Sequence, residues 1–470
     1  MKKFNVRKTT FIKSNNHTEI IMNDILIVLI PFIIFATYKN GILPIIKGYG
    51  NLYDVFKVPL YTIISLLVGL FTEYIYYLII NKKKDLYTLT NEHFAIIPGI
   101  FLSLIIPINT PIYLLIVGSF IASLSKVLLG GFGKNTFNPA LVGSLFITLI
   151  FASYTGGYLN SYEVDTISSA TPLSNMTASS YVITYDNLVK PYGTLTRFFF
   201  GNIPGSIGET SSFLVVIAFI YLLLRKSIKW RIPVTYILTV TLISLYLCFT
   251  KDIGLWFILF NILSGGLLFG AVLMATDPVT TPITHKGQIL GGIILGTITM
   301  GIRYLTPLPE GVLISILILN LLTIIINYLS IIFYNKKIYQ ILSYIFIILL
   351  SIITTYYISL NITNKPLDDT FTIISKDTND NTTTYIVQGK GYAGKNSIKL
   401  KIIFTNDNIT NIEILKSNET YTDIIYNNNY LDKIIINQNG LDNLDAVSGC
   451  TYTSKYLKEI VEKTKKDYYK

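Results

Sequence analysis

Cysteine is nearly absent from this chain: Cys248 and Cys450 are the two in 470 residues. Two thiols so far apart exclude a disulfide framework and cannot by themselves ligate an iron–sulfur cluster or a four-thiolate metal. Charge is scarce as well, at 14% of residues, whereas 51% are hydrophobic and apolar runs recur from Asn23 to Asn361. That is more apolar surface than one soluble core hides, which excludes an ordinary soluble protein and indicates an integral membrane protein. Lys2, Lys3, Arg7, Lys8 and Lys13 precede an apolar run from about Ile25 to Ile46. The run is too long for a signal h-region and no small-residue cleavage site follows, so it reads as a first transmembrane helix. The net charge of +11 sits in short clusters between apolar segments, the pattern of cytoplasmic loops rather than of a nucleic-acid surface.

Bilayer-length windows predict about eleven spans, at 22–46, 58–80, 94–108, 111–128, 137–155, 211–224, 232–250, 254–275, 287–304, 311–334 and 338–360. The third and sixth are short, as half-helices or kinked segments would be. With that count Lys82, Lys83 and Lys84, then Arg225, Lys226, Lys229 and Arg231, then Lys336 and Lys337 fall on the side of the basic N-terminus. The loop 156–210 and everything after residue 361 then face the opposite, extracytoplasmic side. Five spans before that loop and five after it would be oppositely oriented, an inverted repeat of the kind found in transporters. The fold class expected is a polytopic α-helical membrane protein of about ten helices, plus one tethering helix and a small α+β extracytoplasmic domain. Its divisions are a cytoplasmic N-terminus (1–21), a membrane domain (22–335), the tether (336–362) and the outer domain (363–470). In the last, "SIKLKIIF" (397–404) and "ITNIEIL" (409–415) alternate as strands joined by a turn around "TNDN". Leu457, Ile460, Val461 and Thr464 recur at helical spacing from Ser454 onward.

One phrase occurs twice. "VDTISSATPL" places Asp165, Ser168 and Thr171 at the spacing that "LDAVSGCTYT" gives Asp445, Ser448 and Thr451. Small residues stand between, Ser169 and Ala170 in the first copy and Gly449 and Cys450 in the second, and would let the backbone approach a bulky group. Thr451 is expected just before a helix beginning near Thr453 or Ser454, beside unpaired N–H groups that would stabilise an attached phosphate. For a single copy a Ser/Thr-rich turn with an ordinary cap would serve as well; two copies at one spacing on the same side of the membrane argue against coincidence.

These phrases resemble the flavin-attachment motif of the Rnf and Na+-translocating quinone-reductase complexes, Asp-x-x-Ser-Gly-Ala-Thr, whose Thr carries FMN through a phosphoester. The chain as a whole resembles the Rnf membrane component D joined to the Rnf flavoprotein component G. "GGFGKNTFNPALVG" (130–143), "GNIPGSIGETSS" (201–212), "MATDPVTTP" (274–282) and "IRYLTPLPEGV" (302–312) are similar to segments of the membrane component. "GKGYAG" (389–394) and "NET" (418–420) are similar to the FMN domain of the flavoprotein component, and the latter adds Glu419 and Thr420 as supporting residues. Ser169 and Cys450 depart from the motif's Gly and Ala. The resemblance implies two covalent FMN groups, on Thr171 and Thr451, attached by a separate flavin transferase. It further implies other Rnf-type subunits as partners in a bacterial inner membrane, with ferredoxin:NAD electron transfer coupled to Na+ or H+. Lipid surrounds such a chain and nucleic acid has no part. The corresponding B and C pair of the quinone reductase is the alternative within electron transfer, and a solute channel of inverted-repeat fold the alternative outside it.

"GKGYAG" also satisfies G-x-G-x-x-G, but a strand-like segment follows where the dinucleotide fingerprint needs a helix, so a turn is expected. "KNTFNPALVG" and "ATDPVTTP" break helices at the cytoplasmic ends of spans, where Asn138 and Asp277 would line a non-covalent flavin (a riboflavin, for example) or an ion path. Glu73 lies within the second span, where an ionisable group needs a partner or water; it joins Asn138 and Asp277 as a residue of the flavin or ion path, with an interhelical hydrogen bond as the alternative. Arg303 and Glu310 are expected near an outward helix end, snorkelling or paired, and His285 at the cytoplasmic surface.

Overall fold

The computed structural model describes residues 18–469 except 49, 81–83, 156, 160–167, 170, 180, 309, 334–335, 365–370, 380–381, 392–393, 418–421, 439, 442–443 and 448–449. In chain order the membrane part runs through α1 (Thr18–Ile46), α2 (Leu52–Ile79), α3 (Ile97–Ile105), α4 (Ile112–Leu128) and α5 (Pro139–Ile150). A short antiparallel pair, β1 (Tyr158–Leu159) and β2 (Ser168–Ser169), leads to α6 (Pro172–Ala178). Then follow α7 (Ser212–Leu224), α8 (Arg231–Thr250), α9 (Trp256–Leu263), α10 (Leu267–Met274), α11 (His285–Leu305), α12 (Val312–Ile332) and α13 (Lys337–Asn361).

Among the described residues six helices, α1, α2, α8, α11, α12 and α13, are long and apolar enough to cross a bilayer, and α9 with α10 forms a seventh bent by 61°. The remaining apolar helices are shorter, for local reasons. "PINTP" (107–111) follows α3 and denies it further turns. The bend between α9 and α10 falls at Ser264, Gly265 and Gly266, with Gly265 left-handed at φ 66°. α1 contains a π-helical turn at Tyr38–Ile42, which leaves Lys39 1% exposed.

Packing is similar in the two halves. α2 lies against α3 and α4, and α4 against α5; α8 lies against α9 and α11, and α11 against α12. Hydroxyls tie each group: Ser65 donates to Gly99 O (2.7 Å) and shares a hydrogen bond with Ser119 (2.5 Å), while Tyr236, Thr299 and Ser315 form a chain at 2.6 and 2.8 Å. Glycines allow the close approach, since a Cβ on Gly292 would fall 1.8 Å from Thr235 Oγ1.

The C-terminal domain is a four-stranded antiparallel sheet in the order β3 (Thr372–Asn379), β4 (Thr382–Gly391), β5 (Gly394–Thr405), β6 (Asn408–Ser417). Its helices are α14 (Thr422–Asn427), α15 (Tyr430–Ile436) and α16 (Thr451–Tyr468). Tyr385, Val387, Leu400, Ile402 and Phe404 face Leu457 and Val461 in the core. "GKGYAG" runs from the end of β4 to the start of β5, where Gly391 pairs with Gly394 and a strand follows as its alternating flank requires; Tyr392 and Ala393 lie outside the described residues. Among the described residues the domain meets the membrane part at hydrogen bonds that include Ile183 N–H to Thr363 O (2.8 Å), Thr363 N–H to Tyr181 O (3.2 Å), Asn364 Nδ2 to Asp252 O (3.3 Å) and Tyr456 Oη to Ala178 O (3.3 Å).

Candidate functional site

Thr171 sits where β2 hands the chain to α6. Pairing of Ser168 with Leu159 and of Ser169 with Tyr158 fixes the preceding backbone, and Pro172 sets the first helical φ. Thr171 is the N-cap: its Oγ1 accepts from Ser174 N–H at 3.1 Å and lies 2.8 Å from the Ser174 hydroxyl. It is 3% exposed and borders a cavity of about 10 Å³ lined also by Ser206, Glu209, Gly265 and Glu310. That space admits a single water-sized group, so no flavin ring enters on this inner side. The donor set of Ser174 suits a phosphoryl oxygen. Asp165 and Ala170 lie outside the described residues.

Thr451 opens α16, about three residues earlier than the sequence suggests, so it belongs to the first turn instead of preceding it. The helix carries its own approach segment. Ser454 accepts from Val447 N–H (3.1 Å) and donates to Cys450 O (2.8 Å), and Lys458 Nζ donates to Leu441 O (3.2 Å) and Leu444 O (2.6 Å). Asp445 is exposed and Cys450 buried. Burial, with the charge of Asp445 adding and the Ser454 hydroxyl opposing, pushes the Tyr430 phenol up to about 12. Ser448, Gly449, Glu419 and Thr420 lie outside the described residues.

The helices that follow the two copies touch across the domain boundary. Tyr456, in the second turn of α16, reaches the last carbonyl of α6 at Ala178, and Lys390 of "GKGYAG" stands 5.3 Å from the centre of the Tyr456 ring. Burial holds the Lys390 amine below its ordinary range, with Glu459 opposing. Gly389 has a packing role, since a Cβ there would fall 2.4 Å from Ile460 Cγ1 of α16. No local sequence signal marks Tyr456 or Gly389 for these contacts, which depend on pairing distant segments.

The helix-breaking segments of the two halves also converge. Asn138 caps α5 by accepting from Ala140 N–H (3.1 Å), and Asp277 accepts from Val279 N–H (3.1 Å) and the Thr280 hydroxyl (3.2 Å). Both line a cavity of about 70 Å³ with Asn135, Lys126, Phe94 and Phe132. Glu73 reaches it indirectly: Lys126 Nζ lies 2.6 Å from Glu73 Oε1 and donates to His93 O at 2.6 Å. Arg303 narrows an expectation, leaving the paired alternative. It is fully buried rather than snorkelling, and donates to Asn261 O (2.7 Å) and Ser264 O (3.1 Å), the carbonyls freed where α9 breaks. The cations Lys39 and Lys126 went unread in the sequence, although each interrupts an apolar run.

Comparison with known proteins bears on these sites. Residues 391–466 match the FMN-binding domain. The chain is 34% identical over 278 residues to the D component of the proton-translocating ferredoxin:NAD(+) oxidoreductase complex of Clostridium ljungdahlii, covering 58% of this chain and 84% of that one. It is 31% identical over 329 residues to the D component of the Na(+)-translocating ferredoxin:NAD(+) oxidoreductase complex of Acetobacterium woodii, covering 68% and 92%. The B component of the Na(+)-translocating NADH-quinone reductase of Klebsiella pneumoniae is 32% identical over 281 residues, covering 58% and 66%. Residues 5–333, well over half of the chain, match a single family model, and the chain belongs to the NQR2, RnfD, RnfE family.

Proposed function

We propose that this chain is a redox subunit of an Rnf-type ferredoxin:NAD oxidoreductase complex, with two FMN groups held through phosphoesters on Thr171 and Thr451. The observation that carries the reading is the repeated phrase itself: both copies end on a threonine at the start of a helix, and the two helices touch through Tyr456 and Ala178. The isoalloxazine ring supplies the electron chemistry when bound. The chain supplies position. Ser174 offers its N–H and hydroxyl at the first attachment point, Ser454 and Lys458 lace the second into shape, and the 181–183 to 363 pairing limits how far one domain departs from the other.

In this reading Asp165, Ser168 and Ser169, and Asp445, Ser448, Gly449, Glu419 and Thr420, shape the two attachment loops. A flavin transferase performs the attachment, and partner subunits provide the ferredoxin and NAD sites together with Na+ or H+ coupling. Eleven crossings, the first ten as an inverted five-plus-five repeat, put the N-terminus in the cytoplasm and both threonines outside. The membrane domain then covers 22–335, the tether 336–362 and the outer domain 363–470. The cavity shared by Asn138 and Asp277, backed by Lys126 and Glu73, suits a non-covalent flavin edge or an ion path.

Peptide mass spectrometry of chain produced with a flavin transferase tests the assignment. We expect an FMN-sized increment on each of the peptides holding Thr171 and Thr451. Thr171→Val should remove the first alone and Thr451→Val the second alone. Unmodified peptides in both positions would refute the reading.

A further inference from the structure

Beneath Thr171 lies a group of ionisable side chains that attachment does not use. Glu209, on the segment entering α7, and Glu310, on the turn between α11 and α12, line the same cavity of about 10 Å³ as Thr171. Glycines make room for both acids. A Cβ on Gly266 would fall 2.7 Å from Glu209 Oε1, and one on the adjacent Gly265 would fall 3.6 Å from Glu310 Oε1 and 3.5 Å from Arg303 Nη2. Glu209 is 7% exposed, and the Ser206 hydroxyl shares its cavity and favours its charged form.

The surrounding charges compensate the pair only in part, through the field of Arg303 on Glu310. Among the described residues no cation stands within ion-pairing distance of either carboxylate. Arg303, entirely buried, commits its two terminal nitrogens to Asn261 O and Ser264 O, while its Nε, also buried, has no partner. Lys39 lies behind the cavity wall and donates to Ile203 O (2.6 Å) and the Thr210 hydroxyl (3.0 Å). Tyr158 is the remaining ionisable group that faces the two acids. Two carboxylates sharing one small, poorly hydrated space cannot both stay ionised, because burial penalises each charge and each penalises the other. Burial first, and then Glu310, hold the Glu209 carboxyl well above the ordinary carboxylate range; burial raises Glu310 also, against the pull of Arg303.

We propose that Glu209 and Glu310 form an acid pair that holds one proton between them at neutral pH and exchanges it with the outer side of the membrane beside Thr171. The cavity has room for about one water, enough to relay that proton and too little for a hydrated cation. The site consists of this chain's own side chains and stands whether or not Thr171 carries a flavin. The sign of its pH dependence follows. A carboxyl whose folded-state affinity for protons exceeds that of the unfolded chain adds stability below the unfolded value, and that stability is lost as pH rises through the folded value.

Infrared spectroscopy of the purified full-length protein, reading the C=O stretch of protonated carboxyl groups from about pH 5 to 9, tests this. The parent should show a band that persists at neutral pH and disappears at higher pH. Glu209→Gln should abolish most of it. Glu310→Gln should lower the midpoint by a pH unit or more, a tenfold loss of proton affinity, because the like charge is gone. Exchange of KCl for NaCl should leave the band in place. Absence of a titrating band in the parent overturns the proposal without recourse to any variant. Equal titration of the parent and Glu209→Gln overturns it too, as does removal of the band by Na+, which would make the pair a sodium site. The mass of the Thr171 peptide is read separately, so failure of attachment and failure of the acid pair are told apart.

Discussion

Single residues show how the interior tolerates charge. Glu73 and Lys126 are 0% and 3% exposed, and their contact at 2.6 Å joins α2 to α4. Lys126 has a second acceptor in His93 O, whereas Glu73 Oε2 has no partner. The arrangement depends on both members, because a buried ion pair contributes little net energy while either charge alone is costly. Lys126→Met should therefore destabilise the protein by about 3–5 kcal/mol, and adding Glu73→Gln should restore most of the loss. Unfolding midpoints of the two single variants and the double variant in one detergent decide the matter. A double variant no better than Lys126→Met would mean that lost packing, rather than the orphaned carboxylate, is responsible.

Between elements, the decisive feature is how closely helix backbones approach. A Cβ on Gly143 of α5 would fall 2.5 Å from Gly118 O of α4, and a Cβ on Gly99 of α3 would fall 2.3 Å from Ser65 O of α2. In lipid, where apolar burial does not drive helix association, such contacts and the hydroxyl bonds beside them hold the bundle. Gly143→Ala forces backbone apart from backbone, and about 1–3 kcal/mol of destabilisation should follow, read as a lower unfolding midpoint in detergent. Lys229→Gln, at an exposed position before α8, changes no packing contact and provides the control for handling losses. This is the scale at which the sequence is most readable and also begins to fail. Apolar runs mark where the apolar helices lie, because apolarity is a local property of composition, whereas the expected eleven crossings compare with six helices, or seven with the bent pair, long enough to cross among the described residues. The strand that follows "GKGYAG" is equally local. The break of α9 at Ser264, by contrast, gains its meaning from Arg303, which takes up the freed carbonyls from a distant helix. The pairing of Glu73 with Lys126, the shared cavity of Glu209 and Glu310, and the touch of Tyr456 on Ala178 depend on which segments meet, and no window of residues contains that information. The same limit applies to Arg303, whose position near a helix end left snorkelling and pairing equally open.

For the whole molecule, the question is which end faces the cytoplasm. Asp24 near the start of α1 bonds to Arg225 at the end of α7 (3.1 Å) and to Ser227, while Lys286 at the start of α11 bonds to Gln340 at the start of α13. These contacts gather Arg225, Lys226, Lys229, Arg231, Lys286, Lys336 and Lys337 at one end of the bundle. Thr171, Glu310, Thr363 and the C-terminal sheet gather at the other. An excess of Lys and Arg in short loops favours the cytoplasmic side, the orientation proposed above for the basic end. Single cysteines distinguish the two orientations. Asn411→Cys on β6 and Lys229→Cys before α8 are both exposed sites, whereas the native Cys248 and Cys450 are buried. A membrane-impermeant thiol reagent applied to cells with a permeabilised outer envelope should label Asn411→Cys, and should reach Lys229→Cys only after the inner membrane is opened. The reverse pattern would put both threonines, and the acid pair beneath the first, on the cytoplasmic side, and the proton exchanged at Glu209 and Glu310 would then come from the cytoplasm.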